Sequence, residues 1–151
     1  MKLIVPFILL FAIPSYAWAS DTNSEAFRAT LDKHLNAVVN SDLPALKSTL
    51  SPEGKMQLIL PGMEIIATAN GFIEYHEEWF KSSNWTFETE VLNTEIGPKY
   101  GFAVVEVVYR EPDRDGLPYF NRMIVSYDLE QLDGNWYVVK DHASSVEKST
   151  D

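Results

Sequence analysis

Apolar residues recur at helical spacing in the first half of the chain and at alternate positions in the second half. Phe27, Leu31, Leu35 and Val38 form one stripe, and Thr22 with Glu25 three residues later supplies a capping-box pattern ahead of it. The spacing predicts a helix from about Ser24 to Val39. Asn40-Ser41-Asp42 then caps a short second helix, with Pro44 in its first turn and Leu46 and Leu50 on its inner face. Two short β-like runs follow, Lys55 to Leu60 and Glu64 to Ala67, parted by the turn dipeptide Pro61-Gly62. Phe72, Tyr75, His76, Trp79 and Phe80 recur at i, i+3, i+4, i+7 and i+8, the stripe of a third amphipathic helix opening near Asn70-Gly71.

After Lys81-Ser82-Ser83-Asn84 the period changes to two. Trp85, Phe87, Thr89 and Val91 alternate with Thr86, Glu88, Glu90 and Leu92, as in a strand with one buried face. Gly97 to Tyr100 turns into a Val-rich run, Phe102 to Arg110, bounded by Glu111-Pro112-Asp113. A loop over 114–118 leads to a strand from Tyr119 to Leu132, and Asp133-Gly134 signals a tight hairpin before the final run, Asn135 to Ser144. Helices followed by consecutive strands indicate an α+β domain, with three N-terminal helices packed on one face of a curved antiparallel sheet. The polar residues 146–151 read as a frayed, disordered tail.

The N-terminus changes this picture. Lys2, an apolar run from Leu3 to Ile13, Pro14, and Ala17-Trp18-Ala19 before Ser20 form a secretory signal-peptide pattern over residues 1–19. Residues 20–145 are then the folded domain, in a periplasmic or secreted protein. The formal charge is −10, and loss of Lys2 with the leader makes it −11. Acidity of this size, spread along the chain, argues against nucleic acid and against a membrane surface, which both require a basic patch. With no cysteine, no disulfide framework supports the fold.

The segment Asp133-Gly134-Asn135-Trp136-Tyr137-Val138-Val139-Lys140-Asp141-His142-Ala143-Ser144 carries a family resemblance. It is similar to the Asp-Gly-x-Trp, two apolar positions and terminal His-x-Ser of the nuclear transport factor 2-like superfamily, in its SnoaL-like and kinase II association-domain-like branches. The order of elements along nearly the whole mature chain resembles that superfamily too. Many relatives carry a second histidine where this chain has Lys140. The resemblance implies a cone-shaped, cystatin-like fold with a pocket between sheet and helices, and frequent dimerisation through the sheet. Its members include ketosteroid isomerases, dehydratases, polyketide cyclases and noncatalytic binding or assembly domains, so fold does not set activity.

Strict alternation puts Trp136, Val138, Lys140, His142 and Ser144 on one face of the last strand and Tyr137, Val139, Asp141 and Ala143 on the other. If the first set faces the pocket, His142 is the candidate general base, because imidazole titrates near neutral pH. In the opposite register Asp141 takes that role, facing a phenolic donor from Tyr75, Tyr109 or Tyr127. Tyr75, His76, Trp79, Trp85, Tyr109 and Trp136 are the aromatic candidates for lining a ligand site, with Arg122 and Lys140 as its cations. Arg122 has an alternative role, pairing with Glu106 on the outer face. His34 falls at the margin of the first helix, and three scattered histidines give no metal-binding pattern. No phosphate loop, nucleophile elbow or His-Glu-x-x-His motif occurs, and no cofactor is implied.

The leading expectation is an exported domain that binds a small organic ligand or partner in the cone pocket without catalysis. The alternative is a cofactor-independent isomerase, dehydratase or cyclase using His142 or Asp141 as base. Apolar residues on both faces of the Phe102 to Tyr109 run suggest a homodimer.

Overall fold

The Phe27, Leu31, Leu35 and Val38 stripe is the buried face of helix α1 (Tyr16–Val39). The structure is a computed structural model that describes residues 16–63 and 65–149. Helix α1 begins well before Ser24, because nothing between Tyr16 and Thr22 breaks a helix and the alanines there favour one. Residues 1–15 of the signal-peptide pattern lie outside the described residues, and the expected cleavage point after Ala19 falls inside α1. Among the described residues no helix is long and apolar enough to cross a membrane.

Asp42 caps α2 (Leu43–Lys47), its Oδ1 accepting from the Ala45 amide at 2.9 Å, and Leu46 is buried beneath. The small hairpin expected next is reduced to a single bridge, Leu58 to Ile66. Strand β1 (Gln57–Ile59) pairs instead with the last strand, in parallel, where a longer partner offers its unpaired edge. Thr68 caps α3 (Ala69–Trp79) by accepting from the Gly71 amide at 3.1 Å, and Phe72 and His76 form the helix's buried line.

Four long strands make the meander: β2 (Thr86–Ile96), β3 (Tyr100–Arg114), β4 (Leu117–Leu132) and β5 (Asn135–Lys148). The five-stranded sheet has the order β1-β5-β4-β3-β2. Between β3 and β4 the expected loop contracts to Asp115-Gly116, whose φ values of 56° and 91° suit a tight hairpin turn, and Pro112 is absorbed by a pairing irregularity between Glu111 and Arg114. The expected frayed tail is also corrected: β5 runs to Lys148, and the Ser149 amide donates to the Phe120 carbonyl at 2.9 Å. The long β4 edge offers these residues partners, which outweighs their polarity. Residues 150–151 lie outside the described residues.

The inner sheet face supplies Ala103, Val105, Val107, Val125, Leu129 and Val138 to the core; α1 packs on the sheet and α2 packs against α1. At one end, Phe27 meets Trp136 edge-on with ring centroids 5.2 Å apart. Asn23 ties the same corner together. Its Oδ1 accepts from Gln131 Nε2 at 2.8 Å and Trp136 Nε1 at 3.2 Å, while its Nδ2 donates to the Gly97 carbonyl at 3.1 Å. Trp136, a candidate ligand contact by sequence, is a core anchor here: its ring packs on Phe27 of α1 and its one donor is used. Gly101 lets the Phe27 ring approach, because a Cβ there would lie 2.8 Å from Phe27 Cε2.

His34 is fully buried, a correction to its expected place at the helix margin. Thr49 donates its hydroxyl hydrogen to the Leu46 carbonyl at 2.6 Å, so its oxygen accepts from His34 Nδ1 at 2.7 Å. Burial pushes the His34 pKa down to about 3 and keeps the ring neutral. Trp136→Ala is expected to cost about 3–5 kcal/mol of stability, and Gly101→Ala about 1–3 kcal/mol through overpacking against Phe27. Urea unfolding at constant pH measures both; a Trp136→Ala cost below about 1 kcal/mol would remove this corner as an anchor.

Candidate active site

Strand β5 does not alternate strictly. Leu129 pairs with Val138 and Asp128 with Lys140, so Val139 is an extra residue without a partner. Trp136 and Val138 therefore point inward as expected, but beyond Val139 the parity reverses and Asp141 and Ala143 become the buried residues. His142, opposite Ser126, is exposed on the outer face. A second extra residue, Val146, resets the parity once more, so Glu147 points outward beside Arg122 and Lys148 returns to the inner face.

Asp141 thereby reaches a cavity of about 420 Å³ between the inner sheet face and α3. Tyr75, His76 and Trp79 line it from α3, Phe87 from β2, Tyr109 from β3, and Tyr127 from β4. Asp141, Tyr127 and His76 are nearly inaccessible and lie deep, whereas Met63 and Lys148 are exposed and mark the mouth. Of the aromatic candidates, Tyr75, His76, Trp79 and Tyr109 line the cavity. Trp85 stands behind it, stacked on Trp79 at 4.7 Å. The two candidate cations lie elsewhere: Lys140 pairs with Asp128, and Arg122 donates to Glu106 at 2.9 Å. The β-sheet pleat sets these positions, because Lys140 and Arg122 fall on the outward parity of their strands.

Burial pushes the Asp141 pKa up to about 7. Among the described residues no donor hydrogen-bonds its carboxylate, and no cation lies beside it. Tyr127 is its cross-strand neighbour, and burial, with the Asp141 charge as a secondary cause, holds the Tyr127 pKa well above the usual phenol range. Tyr75 is raised by the same two causes, again with burial first. Both phenols are therefore protonated donors at the near-neutral pH where Asp141 ionises. His76 Nδ1 donates to the Phe72 carbonyl at 2.8 Å, and burial lowers the ring's pKa to about 4. A carbonyl can only accept, so Nε2 of this neutral ring carries the lone pair.

Toward the mouth, Tyr109 donates to Glu111 Oε1 at 2.6 Å and Arg114 Nε to Glu111 Oε2 at 3.2 Å. The Arg114 guanidinium also lies 3.4 Å from the centroid of Tyr119. The paired Arg114 holds the Glu111 pKa below the usual carboxylate range, and burial with the Glu111 bond lifts Tyr109 to about 12. Among the described residues no three His, Cys, Asp or Glu side chains are grouped to hold a metal ion.

Glu111, Arg114, Tyr119, Asn121 and Lys148 were absent from the sequence-derived candidates, and most of them sit on strand extensions expected to be loop or tail. One signal for the reversal was available. Val138 and Ala143 are both apolar, are an odd number of residues apart, and cannot both be buried on one face without a bulge.

The folded-state pKa of Asp141 lies above its unfolded value, so its contribution favours folding below about pH 4 and is lost as pH rises through 7. Asp141→Asn removes that loss. The stability gained by the variant over the parent is expected to grow by roughly 2–3 kcal/mol between pH 5 and pH 8 in urea unfolding. A difference independent of pH would show that the buried carboxyl does not titrate in this range.

No family model matches the sequence, and no curated protein matches it. Solved structures do match the fold. A ketosteroid isomerase-like protein from Erwinia carotovora atroseptica superposes with a TM-score of 0.69 at 16% identity, over 82% of this chain and 95% of its own. A candidate dehydratase of the nuclear transport factor 2-like family from Streptomyces avermitilis gives 0.71 at 14% identity, over 84% of this chain and 99% of its own. A candidate calcium/calmodulin-dependent protein kinase type II association domain from Thiobacillus denitrificans gives 0.68 at 12%, over 80% and 94%. At these identities the likeness is one of architecture, and it agrees with the helices, the curved sheet and the element order described above. The chain has the nuclear transport factor 2-like fold.

Proposed function

We propose that the cavity binds a small, largely apolar organic molecule and that Asp141 moves a proton on it, in a cofactor-independent isomerisation or elimination of water. The observation that carries this reading is a buried carboxyl, with no protein cation beside it among the described residues, set among phenols in an aromatic cavity. Its pKa near 7 matches a group that must both take and return a proton at neutral pH. In an isomerisation, ionised Asp141 removes a proton from carbon next to a carbonyl. A phenol from Tyr127 or Tyr75 donates to the developing enolate oxygen, and Asp141 delivers the same proton to a different carbon. In a dehydration the proton goes instead to the departing hydroxyl group, which leaves as water. His142 has no part in either route, because it faces away from the cavity.

Two further elements belong to this proposal. The leader pattern over residues 1–19 supports export to a periplasm or the exterior. The outward apolar residues of β3, among them Phe102 at 40% exposure, support a homodimer formed through the sheet.

The test is turnover of a panel of β,γ-unsaturated ketones and β-hydroxy carbonyl compounds. Asp141→Asn is expected to lower kcat at least about 100-fold, Tyr127→Phe to lower kcat more than it raises KM, and His142→Ala to leave both unchanged. The rate should rise with pH through about 7 as the base ionises. Full activity in Asp141→Asn would eliminate the mechanism. Ligand-induced thermal stabilisation without turnover of any panel member would establish binding alone.

A further inference from the structure

The Asp141 carboxyl, buried at the cavity without a salt bridge or hydrogen bond among the described residues, points to the charge of a ligand. Asp141, His76 and Asn121 line the cavity: among the described residues no donor hydrogen-bonds the Asp141 carboxylate, Nε2 of neutral His76 carries a lone pair, and Asn121 Oδ1 is buried without a hydrogen-bond partner. A buried acceptor left without a donor costs about 1–3 kcal/mol, so a ligand that supplies N–H groups recovers that penalty on binding. Among the described residues no protein cation fills the role. Arg114 is held by Glu111 and stacked on Tyr119, and Lys148 is exposed at the mouth. The walls are aromatic, and the faces of Tyr75, Trp79, Tyr109 and Tyr127 attract positive charge through their ring quadrupoles.

We propose that this cavity binds protonated primary or secondary amines on a planar apolar body, with the ammonium group held by Asp141 and its remaining N–H donors directed to acceptors in the cavity. The inference rests on the small-molecule reading of the cavity but not on turnover. An amine seated there would occupy the proton-transfer group and compete with a neutral substrate. It also predicts proton release. The groups that feel the Asp141 charge are Tyr127 from β4 and Tyr75 from α3; His76 lines the same cavity, β1 contributes apolar Leu58, and charged Glu111, Arg114 and Lys148 lie toward the mouth. The two phenols and the imidazole stay neutral near pH 6.5, so the proton displaced by an incoming cation comes from Asp141 itself.

Calorimetry with four matched naphthalene compounds tests this: 2-naphthylmethylamine, its N,N,N-trimethyl derivative, 2-naphthylmethanol and 2-naphthoate. At pH 7.5 the primary amine is expected to bind at least tenfold tighter than the alcohol and the carboxylate. The trimethyl derivative, which keeps the charge and loses every N–H, should fall below the primary amine. At pH 6.5, titrations in two buffers of different ionisation enthalpy should reveal release of a fraction of a proton per amine bound. Asp141→Asn should abolish both the preference and the proton release, and a cooperative urea-unfolding transition verifies that the variant is folded. Equal binding of amine and alcohol, or an amine preference that survives Asp141→Asn, would overturn the amine proposal and leave the small-molecule reading standing. Failure of all four compounds to bind would count against both.

Discussion

Hydrogen-bond pairing between β4 and β5 constrains everything on the functional side of this sheet. Side chains alternate across a strand, so one unpaired residue inverts every position beyond it. Val139 is such a residue, and without it Asp141 would face outward and His142 inward. Val146 repeats the device seven residues further along and returns Lys148 to the cavity. Bulges also bend a strand, and a curved sheet is what leaves space between its inner face and α3 instead of a closed core.

Two different packing regimes share that inner face. At the Trp136 end, Phe27, Asn23 and Gly101 bring α1 onto the sheet, and the polar atoms of Asn23 and Trp136 are paired. At the Asp141 end, α3 presents a stripe of rings, and among the described residues no hydrogen bond is made to the Asp141 carboxylate and Asn121 Oδ1 is without a partner. A protein interior normally pairs its buried polar groups, since an unpaired one is costly. The tight end supplies the stability against which the open end can carry that cost. Asp141, Tyr75, Tyr127 and His76 are all shifted chiefly by burial and in the directions that favour their neutral forms, which is the electrostatic signature of a desolvated site.

Much of the architecture was legible from periodicity. The three helices, the cap at Asp42, the helix opening near Asn70-Gly71, the turn at Asp133-Gly134 and four long strands all follow from local patterns of spacing and turn chemistry. Boundaries were less accessible. Residues 111–118 and 146–149 look like loop and tail by composition, yet they pair because a long neighbouring strand satisfies their backbone. The start of α1 was misplaced for a related reason: a capping box describes where a helix can begin, and the preceding residues were able to continue it.

The amphipathic stripe of α3 determined by itself that Tyr75, His76 and Trp79 would share one face, because a helix repeats with a period that sequence displays directly. It likewise determined an acidic α+β chain whose last strand carries ionisable residues. Which of those residues is buried was decided only in three dimensions. The direction of Asp141 depends on whether Val139 finds a partner on β4, a long-range pairing with no local signature apart from the mismatch between Val138 and Ala143. The cavity depends in turn on how far α3 stands from a sheet that those bulges bend. Local spacing reports which residues lie together on one element, and tertiary pairing reports which way the element faces.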